Sequence, residues 1–222
     1  MNIKKIIIGG AASALLFGVV AISAFAAPIT PKVPTAPGLN KIICFDGTTD
    51  GGFGGVCTLN SNGAKGTATL DNTVAVGSAD YAGVYINTTT MTGQTLGQIT
   101  QLGYNYSGNI APQPGNLSLN VPVDTTGDNV NDTYLFVDAF YCPGTNGNVD
   151  VINDTNCTIY VGGITPYPNW AALVAAHPTW TVASTGDAFT GTLPFVIAER
   201  VNASEPPALW TVGNITLGKG GK

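Results

Sequence analysis

Leu117-Ser-Leu-Asn-Val121 and Tyr134-Leu-Phe-Val-Asp-Ala-Phe-Tyr141 are the two runs that decide the fold. In the first run, apolar and polar residues alternate, which is typical of a strand with one buried face. The second run is apolar at nearly every position, so it predicts a central strand that is covered on both sides. Asp138 is the one polar residue in that strand, and its burial has to be explained.

Outward from these two runs, short β-prone segments recur between turn signals. They lie at residues 41–45, 66–70, 81–86, 99–106, 158–161, 180–183, 193–199 and 210–217. Many short strands at this spacing are typical of a sandwich or a barrel. The sequence therefore predicts an all-β fold, a two-sheet, jelly-roll-like sandwich.

One short helix is predicted near residues 169–177. Asn169 is a suitable N-cap, and Pro178 ends the helix. Four residues recur at i, i+3, i+4 and i+7 and form one side: Trp170, Leu173, Val174 and His177. We expect this helix to pack on the sandwich as a lid.

The first 26 residues predict a secretory signal peptide. Lys4 and Lys5 form a basic head, an apolar run follows, and Ala24-Phe25-Ala26 provides the small residues of a cleavage site. A retained signal that anchors the chain is the alternative. We expect a Pro-rich linker at residues 27–38, a single domain at 39–218 and a tail at 219–222. No second apolar stretch follows, so we expect no membrane span after cleavage and a secreted, periplasmic or cell-surface location.

Charged residues are scarce, at 9% of the chain, whereas ordinary soluble proteins contain about 25%. Helices solvate their outer faces with Glu, Lys and Arg, so this scarcity favours strands and turns. Removal of Lys4 and Lys5 leaves 13 acidic against 6 basic residues and a net charge of −7. Nucleic-acid binding requires clustered bases, so the composition excludes a nucleic-acid partner.

Four cysteines, Cys44, Cys57, Cys142 and Cys157, follow the signal. An even number in an exported chain predicts two disulfides, for which three pairings are possible. We favour Cys44 with Cys57 and Cys142 with Cys157, because each pair closes a short loop. A zinc site is the alternative, but the C-x2-C spacing of such sites is absent.

The stretch from Asp124 to Asp132 resembles a calcium-binding loop. Asp124, Thr126, Asp128 and Asp132 stand at alternate positions from which side chains converge on a cation. The match is partial, because Asn129 replaces the turn glycine and no Glu closes the loop. A polar hairpin turn is the competing interpretation, and both can hold. Calcium is the one cofactor that the sequence indicates.

Candidate catalytic residues are few. His177 is the only histidine, and its position at a helix end favours a structural role. Sugar hydrolysis needs two carboxylates, for which Glu199 and Asp138 are the candidates. Phe195, Ile197 and Glu199 alternate onto one face of a strand, and Arg200 points to the other. The simpler interpretation is a strand-end Glu and an Asp that is bonded to backbone amides.

Aromatic residues supply a candidate ligand-binding surface. Tyr104 and Tyr106 share one strand face, as do Tyr81 and Tyr85. Tyrosine platforms on a sandwich of low charge can stack against sugar rings. Packing against sheet neighbours is the alternative role for these rings.

Four segments resemble a group of uncharacterised secreted bacterial β-sandwich proteins. They are residues 95–104, the acidic hairpin 124–132, the helix region 170–178 and the closing strand 212–218. The resemblance implies a jelly-roll-like sandwich similar to carbohydrate-binding modules, with no catalytic residues to carry over. The expected function is therefore non-catalytic binding or a surface role, with a glycan or a cell-surface component as partner. The alternatives are a glycan-cleaving enzyme and a structural assembly protein that associates through an edge strand.

Overall fold

The computed structural model describes residues 41–48, 54–60, 66–73, 80–87, 91–143, 147–183, 193–200 and 204–218. The predicted signal peptide, the Pro-rich linker and the tail after residue 218 lie outside these described residues.

The described strands form two antiparallel sheets, as the sequence predicts. The spatial order of the larger sheet is β1 (Lys41–Asp46), β4 (Asp80–Asn87), β12 (Phe195–Arg200), β6 (Leu117–Asp124), β7 (Thr133–Asp138), β9 (Ile159–Val161) and β10 (Thr165–Tyr167), and β11 (Thr181–Val182) pairs with β6. The order of the smaller sheet is β2 (Val56–Leu59), β3 (Ala68–Asp71), β13 (Leu209–Gly218), β5 (Gln101–Gly108) and β8 (Asn148–Asp150). The prediction of an all-β, two-sheet sandwich is confirmed.

The core lies between the sheets and is built from the alternating apolar residues. Leu119, Val84 and Val196 face it from the larger sheet, and Leu70 and Trp210 face it from the smaller sheet; all five are fully buried. A buried side chain of this size stabilises the fold by roughly 1.5–3 kcal/mol through removal of apolar surface from water. Successive side chains of a strand point to opposite faces, so the remaining side chains of the larger sheet lie on a second face, which is turned away from the core. We call this second face the outer face.

Two expectations about strand faces are wrong. Ser118 and Asn120, on the outer face of β6, are 7% and 1% exposed, so β6 is not half-buried. β7 lies inside the sheet as predicted but ends at Asp138, where residues Ala139–Tyr141 form a 3-10 helix. On its outer face, Tyr134 and Phe136 are only half-buried. Polar residues are therefore buried on this face, and aromatic rings keep some contact with solvent.

Helix α1 spans Trp170–Ala176, as predicted. The Asn169 side chain accepts a hydrogen bond of 2.9 Å from the Ala172 N–H and caps the first turn. Trp170 and Leu173 form its buried side. A short 3-10 helix at Leu96–Gln98 lies between strands β4 and β5. None of the helices in the described part is long and apolar enough to cross a bilayer.

Both predicted disulfides are confirmed. Cys44 in β1 is bonded to Cys57 in β2, so this bridge joins the larger sheet to the smaller one. Cys142 is bonded to Cys157, which closes the excursion that carries β8. The four cysteines are all paired, and none is free to bind zinc.

Candidate binding site

Five aromatic residues form a continuous row across the outer face. Phe45 lies 4.4 Å from Tyr85, Tyr85 lies 6.0 Å from Phe195, and both distances join ring centroids. Tyr134 lies 5.8 Å from Phe195 and 6.3 Å from Phe136. We call these five residues the aromatic row. All five are half-buried, so the rings retain accessible surface.

The strand register explains why the rings meet. Phe195 in β12 pairs with Asn120 of β6, and Tyr134 in β7 pairs with Pro122 of β6, so the rings of Phe195 and Tyr134 approach each other over the strand between them. Gly83 provides space at the other end of the row. A Cβ atom at Gly83 would collide with the ring of Phe45, which therefore lies flat against the strand.

Polar side chains lie beneath and beside the aromatic row. The Nδ2 of Asn120 donates a hydrogen bond of 3.0 Å to the Ser118 hydroxyl. The Oδ1 of Asn120 is buried and has no hydrogen-bond partner. Most buried polar atoms in proteins are paired, so an unpaired buried acceptor indicates a missing donor at this position.

Asp138 and Glu199 lie on the outer face, at the same end of the sheet. The Asp138 carboxylate accepts hydrogen bonds from the N–H groups of Gly115 and Phe140, the latter at 2.8 Å. The backbone N–H of Glu199 donates to the carbonyl of Asn116 at 3.1 Å. Both residues therefore contact the same two-residue segment. The predicted pairing of Asp138 with backbone amides is confirmed.

Burial raises the pKa of both carboxyl groups. The pKa of Asp138 is raised to about 6, because burial outweighs the stabilising bonds from Gly115 and Phe140. Burial raises the pKa of Glu199 to about 8, and the charges of Asp138 and Glu205 add to this effect. At neutral pH, Asp138 is therefore mainly ionised and Glu199 mainly protonated.

Arg200 does not neutralise this pair. It pairs with Asp80 in the strand register, and its Nη1 lies 3.4 Å from the Asp80 carboxylate. This ion pair is on the opposite face of β12 from Glu199, as predicted. Arg200 is the one Lys or Arg residue whose side chain belongs to the described part of the chain.

The four predicted ligand-binding tyrosines divide between the two sheets. Tyr81 and Tyr85 lie on the outer face, where Tyr81 is 5% exposed and Tyr85 belongs to the aromatic row. Tyr104 is 1% exposed, and its hydroxyl donates to the Leu117 carbonyl at 3.4 Å. Tyr106 packs edge-on against Trp210 at 5.9 Å. Tyr104 and Tyr106 share a strand face, as predicted, with ring centroids 6.1 Å apart, but Tyr104 is buried in the core, so the two rings do not form an exposed platform.

The Asp124–Asp132 stretch forms a hairpin turn that uses its carboxylates internally. Asp124 accepts N–H bonds from Thr126, Gly127 and Asn129 at 2.9, 2.6 and 2.7 Å. Asp132 accepts from the Thr125 N–H at 2.7 Å, and Asp128 from the Val130 N–H at 2.9 Å. Asn129 takes the turn with a φ of 65°.

The backbone N–H groups that bond to the hairpin carboxylates occupy oxygen atoms that a calcium ion would need as ligands. Within the described ranges, no three acidic, His or Cys side chains are grouped so that they can hold a metal ion. The carboxylates of the hairpin are directed at backbone amides rather than at a shared centre. The arrangement fits the hairpin interpretation, and calcium binding by Asp124, Thr126, Asp128 and Asp132 stays a prediction.

His177 has structural contacts. Its ring stacks on Trp180 with centroids 3.6 Å apart and planes inclined by 12°. Its Nε2 is 2.6 Å from the Tyr167 hydroxyl. These neighbours hold the end of α1 against β10, in agreement with the predicted structural role.

A shallow groove of about 160 Å³ lies on the smaller sheet. It is lined mainly by residues of β5 and β13, both polar and apolar, among them Tyr106, Val212 and Asn214. Asn214 lies at a bulge in β13 and has a φ of 45°. This groove contains neither a carboxylate nor a row of rings.

No family model, no curated protein and no solved structure matches this chain. The resemblance to carbohydrate-binding modules accordingly stays a prediction. Functional inference rests on the site itself.

Three residues of the outer face were not predicted from the sequence as parts of a ligand-binding surface: Phe45, Asn120 and Phe195. The alternation of Phe195, Ile197 and Glu199 already placed Phe195 on the face of the carboxylate. The alternation along residues 117–121 predicts that Asn120 faces solvent. Only the strand order shows that aromatic residues lie on both sides of it.

Proposed function

We propose that this chain is an exported, non-catalytic binding protein that holds a glycan on the outer face of the larger sheet. The observation that carries the proposal is the aromatic row above a buried acceptor, Asn120 Oδ1, that lacks a donor. A sugar offers an apolar C–H face to the rings, and a hydroxyl group or a water that enters between the rings can supply the donor that the enclosed Asn120 Oδ1 lacks.

The energetics favour a ligand at this position. An unsatisfied buried polar group costs about 1–3 kcal/mol, and a hydroxyl donor would remove that cost. Ligand sites are typically lined by apolar and aromatic side chains with a few well-placed polar groups. The outer face has this composition, and the two disulfides support a role outside the cell.

A glycan array with the mature protein tests the proposal. We expect binding to at least one glycan class, and a loss of about tenfold in affinity for Phe195→Leu, about 1.4 kcal/mol, because the variant removes a central ring on which the sugar stacks. Phe195→Leu keeps an apolar side chain and removes the ring. Tyr106→Ala on the smaller sheet is the matched control and should bind normally. An array without any signal would overturn the proposal.

Glycan cleavage is the second candidate function, and the acid pair favours it. Asp138 and Glu199 share one face and differ in pKa, as a base and an acid would. An assay for new reducing ends on every glycan that binds distinguishes the two functions. Release of sugar by the wild type and its loss in Glu199→Gln would establish an enzyme; binding without release favours the proposed function.

A further inference from the structure

We infer that the outer face selects glycans whose sugars carry protonated amino groups. This inference rests on the proposed glycan-binding function and adds the chemical class of the ligand. Three independent features of the site lead to it: two carboxyl groups without a described cation, an unpaired acceptor, and the faces of aromatic rings.

The first feature is a pair of carboxyl groups, one of them mainly ionised at neutral pH, without a described cation beside them. Asp138 is bonded to backbone amides alone, and the Glu199 side chain makes no hydrogen bond or ion pair with any described residue. Arg200 is committed to Asp80 on the other face. The titratable groups that surround the pair are themselves acidic: Glu205 near Glu199, Tyr104 and Tyr141 near Asp138, Tyr81 opposite Glu199, and Tyr160 against Tyr141.

The second feature is the direction of the hydrogen-bonding groups. Asn120 uses its Nδ2 donor on Ser118, so only its Oδ1 acceptor remains unpaired. Asp138 and Glu199 in their ionised forms also offer acceptors. The ligand must therefore supply donors, and an ammonium group supplies three.

The third feature is the aromatic row. A cation within about 6 Å of a ring centroid is attracted to the ring face, and more strongly when it is desolvated. Phe195 and Tyr134, whose centroids are 5.8 Å apart, lie over the strand that carries Asn120. Phe136 stands two residues before Asp138 on the same face, about 7 Å along the strand, whereas Glu199 is about 13 Å along β12 from Phe195. An oligosaccharide that stacks on the row therefore brings a neighbouring sugar unit, rather than the stacked one, to the acid pair.

The acid pair also predicts a linked proton release. Glu199 is mainly protonated at neutral pH because burial raises its pKa. An ammonium group beside it favours the ionised form, so binding should expel a proton. Calorimetry in two buffers of different ionisation enthalpy measures that proton directly, and an uncharged ligand should release none.

The test compares two oligosaccharides of equal length, a glucosamine hexamer and an N-acetylglucosamine hexamer, by calorimetry at slightly acidic to neutral pH. We expect the glucosamine hexamer to bind about tenfold more tightly, which corresponds to one good charge contact of about 1.4 kcal/mol. Glu199→Gln should abolish this preference and the proton release. Asp128→Asn, which replaces an exposed carboxyl group in the hairpin after β6 by an amide, is the control for a change in net charge and should keep both.

Each outcome has a separate meaning. Equal or tighter binding of the N-acetylated hexamer would overturn the inference and leave the proposed function standing. Failure of both hexamers, with another glycan bound on the array, would also overturn the inference alone; failure of every glycan would overturn both. A preference that survives in Glu199→Gln would show attraction by the net charge of the protein and not by this site.

Discussion

Hydrogen bonds decide whether the pKa of a carboxyl group in this protein is lowered or raised. Burial alone would raise the pKa of Asp124, but the amide bonds from Gly127, Asn129 and Thr126 outweigh it and lower the pKa. Glu199 has no such bonds, and burial raises its pKa to about 8. Asp124 is therefore expected to stabilise the fold and Glu199 to destabilise it at neutral pH.

Asp124→Ala should lower the free energy of unfolding by about 2–3 kcal/mol, because three N–H groups of the turn lose the charged acceptor that the buried Asp124 provides. Urea unfolding at neutral pH measures the loss. Asp128→Ala removes an exposed carboxylate from the same hairpin and should change stability by less than about 0.5 kcal/mol. Since the folded pKa of Asp124 is depressed, its contribution should disappear as the pH falls below the ordinary aspartate range. Equal effects of the two variants would contradict the proposed role of Asp124.

Glu199→Gln should stabilise the protein at alkaline pH. The folded state holds the proton up to about pH 8 and the unfolded chain releases it near the ordinary value of 4.5, so wild-type stability should fall as the pH rises between these values. The variant should lose that slope and gain more than about 1 kcal/mol above pH 8, since one pKa unit is worth about 1.4 kcal/mol. Thermal unfolding at several pH values checks this; parallel curves would refute the pKa assignment.

Secondary-structure elements were the most predictable level of this molecule. Alternation along residues 117–121 and 193–199 identifies strands, and Asn169 with Pro178 marks the helix. The strands that sequence reasoning missed, β2, β8 and β10, are only three or four residues long, and β10 contains Pro166. Such short runs are too brief for a periodic pattern to emerge.

The faces of strands were harder to predict, as the tyrosines show. In β4, Ala82, Val84 and Ile86 occupy the core, so Tyr81 and Tyr85 take the other face. In β5, the residues at the alternate positions, Gly103, Asn105 and Ser107, are Gly or polar, so Leu102 and Tyr104 fill the core. A comparison of the residues on the two faces of β4 and of β5 would have predicted that the tyrosines of β4 face outward and that Tyr104 faces the core. The burial of Asn120 without a partner for its Oδ1 could not be predicted, because it depends on the strand order, which is set by contacts between residues distant in sequence.

The contact of α1 with β10 gives a prediction at the scale of one element. His177→Ala should reduce stability by about 1–2 kcal/mol, because it removes a stacked ring and a hydrogen bond to Tyr167. Glycan affinity should be unchanged, since the helix end lies outside the outer face. Tyr167→Phe removes the hydrogen bond alone and should cost less; a loss of glycan binding in either variant would contradict a purely structural role.

At the scale of the whole molecule, the two disulfides close loops of similar length, with sequence separations of 13 and 15, but they join different parts. Cys44–Cys57 connects the sheets at the edge of the sandwich. Cys142–Cys157 closes a loop next to the 3-10 helix that begins after Asp138.

Replacing either cysteine pair by serine should cost about 3 kcal/mol, as expected for loops of this length. Denaturant titration of the mature protein measures this cost. Removal of Cys142 and Cys157 should also weaken glycan binding, because Asp138 accepts a hydrogen bond from Phe140 near that loop. Removal of Cys44 and Cys57 serves as the comparison. Unchanged unfolding midpoints in both double variants would contradict a stabilising role for the bridges.

The central claim is that the outer face of the larger sheet is the ligand surface of this protein. Nuclear magnetic resonance with labelled protein and a glycan that binds on the array tests it most directly. We predict that the signals of Asn120, Phe195 and Glu199 shift on titration, while Asn105 and Asn214 in the groove of the smaller sheet stay unchanged. Shifts confined to that groove, with the outer face unaffected, would contradict the account.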